Sequence, residues 1–169
     1  MTHEMLMLTP IGKLKVVEEE NYIIELSLLE KNKLQDFNGK TPPLETEKQD
    51  DENGNPALLL LLAAKEQLDE YFAGKRKKFT LPLKPKGTIF QEKVWKALLD
   101  IPYGETRSYK QIAVQAGSEK ACRAVGMANN RNPIMILIPC HRVIGANGAM
   151  VGYGGGISVK EYLLNLEQG

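Results

Sequence analysis

The sequence predicts an α+β protein: a small N-terminal antiparallel sheet with one helix, then a mostly helical C-terminal domain containing a helix-turn-helix. Three observations predict it. Short β-like runs lie between residues 6 and 29, and helix-start signals crowd the second half. Charge also divides the chain. Residues 1–83 hold 11 Lys/Arg and 15 Asp/Glu, a balance of −4, whereas residues 84–169 hold 11 and 6, a balance of +5. Two parts are expected from this, 1–84 and 85–169, the second able to meet phosphate.

In chain order, Lys13-Leu14-Lys15-Val16-Val17 and the stretch 22–29 read as strands of the small sheet. Residues 38–56 are rich in Asn, Gly, Pro and acidic side chains and predict a long, mobile acidic loop. Pro56 suits the first turn of a helix running to about Phe72, with Gly74 as its stop. Lys75-Arg76-Lys77-Lys78 reads as a solvated surface or a DNA contact, and the Pro-punctuated stretch 81–87 as a linker. Thr88-Ile89-Phe90-Gln91, Ser108-Tyr109-Lys110-Gln111 and Ser158-Val159-Lys160-Glu161 each have the form of a capping box. Ser118 can cap a further helix, 119–129. With 109–116 and the Gly117-Ser118 turn it makes the helix-turn-helix. Ala121, Ala124, Gly126 and Ala128 give its second helix a small-residue face, suited to a DNA groove or to a neighbouring helix.

Composition narrows the classes of function. At 43% hydrophobic and 25% charged, the chain can bury an ordinary core and is not expected to be disordered. Its longest apolar run, 57–64, falls short of the roughly 18 residues a membrane span needs. Met1-Thr2-His3-Glu4 lacks the basic segment of a signal peptide, so a soluble, cytoplasmic protein is expected. Two cysteines and two histidines supply neither a disulfide framework nor four paired zinc ligands; no metal and no cofactor are expected.

Chemistry concentrates in Ile136-Leu137-Ile138-Pro139-Cys140-His141-Arg142-Val143-Ile144. A thiol reacts as thiolate, so Cys140 needs a base or a positive field. On an extended strand neighbouring side chains point apart. His141 would then need a bent backbone or a bridging water, and Pro139 and Gly145-Ala146-Asn147-Gly148 permit a bend. Taken alone, the pair reads as a buried Cys beside an incidental His rather than as a reactive pair.

Pro139-Cys140-His141-Arg142-Val143 resembles the signature of the O6-alkylguanine-DNA alkyltransferases, the methylated-DNA–protein-cysteine methyltransferases. Phe90-Gln91 with Val94-Trp95, Ile101-Pro102-Tyr103-Gly104-Glu105-Thr106, Ser108-Tyr109, Arg123-Ala124-Val125-Gly126, Asn132-Pro133, Gly154-Gly155-Gly156 and Lys160-Glu161-Tyr162-Leu163-Leu164 fall in family order and spacing. The resemblance is dense from about residue 87 to 167 and thin before it.

The resemblance implies repair of O6-alkylguanine, with O4-alkylthymine a second candidate substrate, in double-stranded DNA approached through the minor groove by a monomer. The damaged nucleotide is flipped out, because O6 lies inside the duplex. Arg123 is then the finger that fills the vacated stack, with Ala121 and Ala124 allowing close approach. Tyr109 promotes flipping and donates to guanine N3. Cys140 is the nucleophile, His141 its base through a water, and Glu167 the carboxylate that orients the imidazole. Asn132 holds the turn before the Cys strand. Backbone groups of Cys140, Val143 and Gly154 contact guanine O6 and the exocyclic amine. Arg142 is expected to make a structural salt bridge. Two positions depart from the pattern. Gly154 stands where some relatives carry a hydroxyl, and Cys122 adds a thiol to the second helix of the helix-turn-helix.

Two rival classes remain at this stage. A helix-turn-helix regulator or lesion binder would dispense with Cys140, His141 and Glu167. A regulator would also dimerise over paired half-sites. A cysteine hydrolase would turn over an ester or amide.

Overall fold

The computed structural model describes residues 1–29, 54–150, 153 and 156–169. The acidic loop expected over 38–56 lies, apart from its last three residues, outside them, as does Gly154. The chain is α+β and forms two compact units, Met1–Pro85 and Lys86–Gly169. Among the described residues no helix is long and apolar enough to cross a membrane.

The first unit is an antiparallel sheet in the order β1 (Thr2–Thr9), β2 (Gly12–Glu19), β3 (Tyr22–Leu28), covered by α1 (Pro56–Phe72). It begins earlier than the sequence reading: β1 starts at Thr2, where His3 and Glu4 obscure the alternation. Both hairpins have two-residue loops, set by the registers Thr9↔Gly12 and Glu19↔Tyr22. In the second, Glu20 and Asn21 both take positive φ, 52° and 65°, the geometry that matches strand twist. The buried Glu18 carboxylate accepts from Asn21 N at 2.6 Å and steadies that turn. Met5, Met7, Leu14, Val16, Leu26 and Leu28 point inward at period two. The stripe Ala57, Leu61, Ala64, Leu68, Tyr71 buries one face of α1.

Pro56 is the first residue of α1, as read. Gly74, at φ 73°, closes its end: Gly74 N donates to Tyr71 O and Lys75 N to Glu70 O, the six-to-one and five-to-two pattern. The stretch read as a linker does more than connect. Ile23 N donates to Pro82 O at 2.8 Å and Lys84 N to Ile23 O at 3.0 Å, so it pairs with the free edge of β3.

The second unit holds α2 (Ile89–Leu99), β4 (Arg107–Ser108), α3 (Tyr109–Gln115), α4 (Cys122–Asn130), β5 (Val143–Ile144) and α5 (Ile157–Gln168). The boxes at Thr88 and Ser108 form in full, each hydroxyl accepting from a Gln N–H whose amide reaches back. Two other expected caps do not form. Ser118 N closes the end of α3 on Ala113 O, and Ser118 O accepts from Ala121 N; α4 therefore starts three residues later than read, at Cys122, with no side-chain cap. Gly156, at φ 99°, turns the chain directly into α5 and leaves Ser158 inside its first turn. Trp95, 2% exposed, joins α2 to α4 by donating from Nε1 to Ala128 O at 2.8 Å.

Candidate active site

The apolar run before Cys140 was expected to be a strand and is instead a coiled turn. Leu137 N donates to Met135 O, Ile138 N to Ile134 O, and Ile136 is held at φ 69°. A β-branched residue is strained there. Asn132 over-determines the turn: its Oδ1 accepts from Ile134 N at 3.0 Å while Nδ2 donates to Ile138 O at 2.8 Å. Cys140, His141 and Arg142 then form a single 3-10 turn. That turn is the bend the Cys-His pair needs, since side chains one apart no longer point to opposite faces.

Behind the turn stands Glu167, on the last turn of α5. Its Oε1 lies 2.7 Å from His141 Nε2, and Arg142 donates from Nε to Oε2 and from Nη2 to Oε1, both at 2.9 Å. Arg142 also donates from Nη1 to Ile101 O at 2.7 Å. It makes the structural salt bridge expected of it. His141, Arg142 and Glu167 are all buried. The His141 and Arg142 partners hold the Glu167 carboxyl at a pKa of about 2, against burial, which alone would raise it. An ionised Glu167 fixes the proton of a neutral His141 on Nε2. Burial lowers the His141 pKa despite Glu167, so the ring is neutral and Nδ1 is an acceptor. That Nδ1 is buried and meets no hydrogen-bond partner among the described residues.

Cys140 is buried, and burial pushes its thiol up. The polar side chains of Asn132 and Tyr153 and the charge of Lys160 pull the other way. The net shift is upward, so the resting group is a thiol and needs a base at the moment of reaction.

Tyr109 opens α3, half-buried, its ring edge against Gly126 of α4. Burial raises its phenol pKa and the nearby Cys140 adds to the rise. Val143 is buried in β5, and its carbonyl accepts from Lys160 Nζ. On α4, Arg123 and Ala124 are exposed and Ala121 half-exposed, whereas Ala128 is buried against Trp95. The small-residue stripe is thus open at its first turn and packed at its last. Cys122 is half-buried, with Glu119 O 4.0 Å from Sγ.

The structure therefore gathers Cys140, His141, Glu167, Asn132 and Tyr109, and places Arg123, Ala121 and Ala124 on an open face of the neighbouring helix. Three further groups carry no role in the sequence reading. Lys160 is wholly buried and stands over the Tyr109 ring at 5.9 Å; Tyr153 acts on the Cys140 thiol, favouring its ionised form; Asn129 donates to Cys140 O at 3.2 Å. Only the fully buried lysine has a signal in the sequence, a cation among the apolar positions of α5. Among the described residues no cluster of His, Cys, Asp and Glu could hold a metal ion.

Two family models match the chain. The 6-O-methylguanine DNA methyltransferase, DNA binding domain, covers residues 89–169, and the 6-O-methylguanine DNA methyltransferase, ribonuclease-like domain, covers 3–85. The constitutive methylated-DNA–protein-cysteine methyltransferase of Bacillus subtilis is 50% identical over 161 residues, 95% of this chain and 92% of its own. The Methanosarcina barkeri methylated-DNA–protein-cysteine methyltransferase is 61% identical over 105 residues, 62% of this chain and 66% of its own. Among solved structures, Mycobacterium tuberculosis OGT in complex with DNA is 43% identical at a TM-score of 0.78, covering 96% of this chain and 91% of that one.

Proposed function

Since this chain belongs to the 6-O-methylguanine DNA methyltransferase family, we propose that it repairs DNA by one irreversible transfer of the alkyl group of O6-alkylguanine to Cys140 Sγ. Alkyl transfer from DNA to a protein cysteine is the activity of this family; the assignment of residues is our reading. The observation that carries it is the buried Glu167–His141 pair beside Cys140, with an unprotonated Nδ1 as acceptor. The Cys140 proton passes through water to Nδ1, Sγ bonds to the alkyl carbon, and the carbon–O6 bond breaks with its electron pair going to O6. The guanine anion takes up one proton. Glu167 stabilises the imidazolium, and the Tyr109 hydroxyl donates to guanine N3, easing the build-up of charge on the leaving base. The product is a thioether, so each molecule acts once.

Residues 85–169 form the DNA-binding and active-site domain on this reading, and 1–84 an N-terminal domain. The exposed Arg123 fills the stack left by the flipped nucleotide, and Ala121 and Ala124 let α4 approach the floor of the minor groove. Val143 and Gly154 offer backbone contacts to the base. One α4 and one Cys140 suffice for one lesion, so the protein acts as a monomer, in the cytoplasm.

Intact mass after incubation with a duplex carrying one O6-methylguanine tests the reading. One methyl-sized gain, mapped to Cys140 and stopping at one equivalent, is expected. A bound but unaltered lesion would make the protein a lesion binder, and a gain on Cys122 would move the nucleophile.

A further inference from the structure

Asn129 is the penultimate residue of α4 and only 1% exposed. Its Nδ2 donates to the backbone carbonyl of Cys140. Turning the amide over would set Oδ1 against that carbonyl, acceptor facing acceptor, so the bond fixes the orientation. Oδ1 is then buried and meets no hydrogen-bond partner among the described residues. A buried carbonyl oxygen left in that state costs the fold its desolvation, and such groups are kept where they work. His141 Nδ1, on the residue that follows Cys140 in the same 3-10 turn, is in the same state. Both atoms are acceptors, because the ring proton of His141 is committed to Glu167. Two such acceptors, one on the amide that bonds the Cys140 carbonyl and one on the residue next to Cys140, match the two hydrogens of a single water whose oxygen accepts from Cys140 S–H.

We propose that Asn129 is a positioning residue for the proton transfer that activates Cys140: Nδ2 anchors the Cys140 carbonyl to α4, and Oδ1 orients the relaying water towards His141. The proposal rests on the transfer reading above. The Cys140 S–H bond breaks and its proton joins the water. The water passes a proton to His141 Nδ1, giving the imidazolium paired with Glu167. Its other hydrogen stays on Asn129 Oδ1, which leaves His141 as the one direction for release. The thiolate electron pair then forms the S–C bond. No oxidant, metal or cofactor enters the balance.

The test is the rate of Cys140 alkylation by free O6-benzylguanine, whose benzylic carbon favours attack by sulfur, from neutral to alkaline pH. A free base removes DNA binding from the measurement. Asn129→Leu, close in size and without polar atoms, and Asn129→Ala are compared with wild type, each alone and combined with His141→Gln. In the wild-type background either variant should slow transfer roughly tenfold and move the half-maximal pH upward. In the His141→Gln background the same change should cost less than about twofold, because the relay is already lost. Circular dichroism melts establish which variants fold, and either one suffices. An equal slowing in both backgrounds with an unmoved pH midpoint would reduce Asn129 to packing and overturn the proposal. The same variants are read on a duplex carrying O6-methylguanine, where failure of wild type itself to gain the methyl group would instead bring down the transfer reading.

Discussion

At the residue scale, the centre of the molecule is one carboxylate with two clients, the neutral His141 ring and the Arg142 guanidinium. Glu167 holds His141 through a single contact and Arg142 through a fork, all buried. Glu167→Gln keeps the shape and removes the charge. Arg142 is then left buried without its counter-ion, which costs about 3 kcal/mol of stability. His141 loses the anion that would stabilise its imidazolium, and transfer to Cys140 should slow about 100-fold. Urea unfolding and single-turnover kinetics on the same variant check both. A Gln variant that is destabilised yet transfers at the wild-type rate would show that Glu167 is only structural. The sequence made part of this legible. The Pro139-Cys140-His141-Arg142-Val143 match and the position of Glu167 named three of the partners in advance. Asn129, Tyr153 and Lys160 were illegible as site residues, because nothing local to their neighbours says that a turn 11 residues away will bring Cys140 O to an Asn amide.

At the element scale, helix starts were read best where a hydroxyl and a Gln stand three apart on an otherwise free N-terminus. Thr88 and Ser108 meet that condition. Ser118 and Ser158 fail it because neighbouring glycines decide the backbone first: Gly117, at φ 81°, commits Ser118 N to closing α3, and Gly156 starts α5 early. The Cys strand was misread for a related reason. Five apolar residues in a row have the period of a buried strand, but Asn132 bonds both ends of the run and folds it back. The start of α2 carries a further constraint. A Cβ on Gly87 would overlap the ring edge of Trp95 and stand 2.7 Å from Gln91 Oε1, the acceptor of the capping box. Gly87→Ala should therefore destabilise by about 1–3 kcal/mol, by displacing the indole that bonds Ala128 O of α4. A urea midpoint unchanged from wild type would mean that Trp95 has room to move.

At the scale of the whole molecule, the α+β class was legible because each half carries a different period, two in the strands and 3.6 in the helices. The extent of the sheet was not, since β1 begins among polar residues and the free edge of β3 is covered by a segment that reads as a linker. The buried His141–Glu167–Arg142 cluster also sets how the fold responds to acid. In the unfolded chain His141 takes a proton below its ordinary value of 6.5, while burial in the fold lowers its pKa, so the unfolded state binds more protons and stability is lost as the pH is lowered through 6.5. Glu167 acts in the same direction at lower pH. Its pKa of about 2 in the fold, against 4.5, means that its contribution is complete above 4.5 and is lost as pH falls towards 2. That difference corresponds to about 3 kcal/mol, a large part of a typical domain's roughly 5–15 kcal/mol. The urea midpoint should therefore drop steeply between pH 4.5 and 2 in wild type and less steeply in Glu167→Gln, which has nothing to protonate there. Parallel curves for the two proteins would assign acid sensitivity to other carboxylates. A steeper wild-type curve would tie the stability of the second unit to the same ion cluster that prepares Cys140 for reaction.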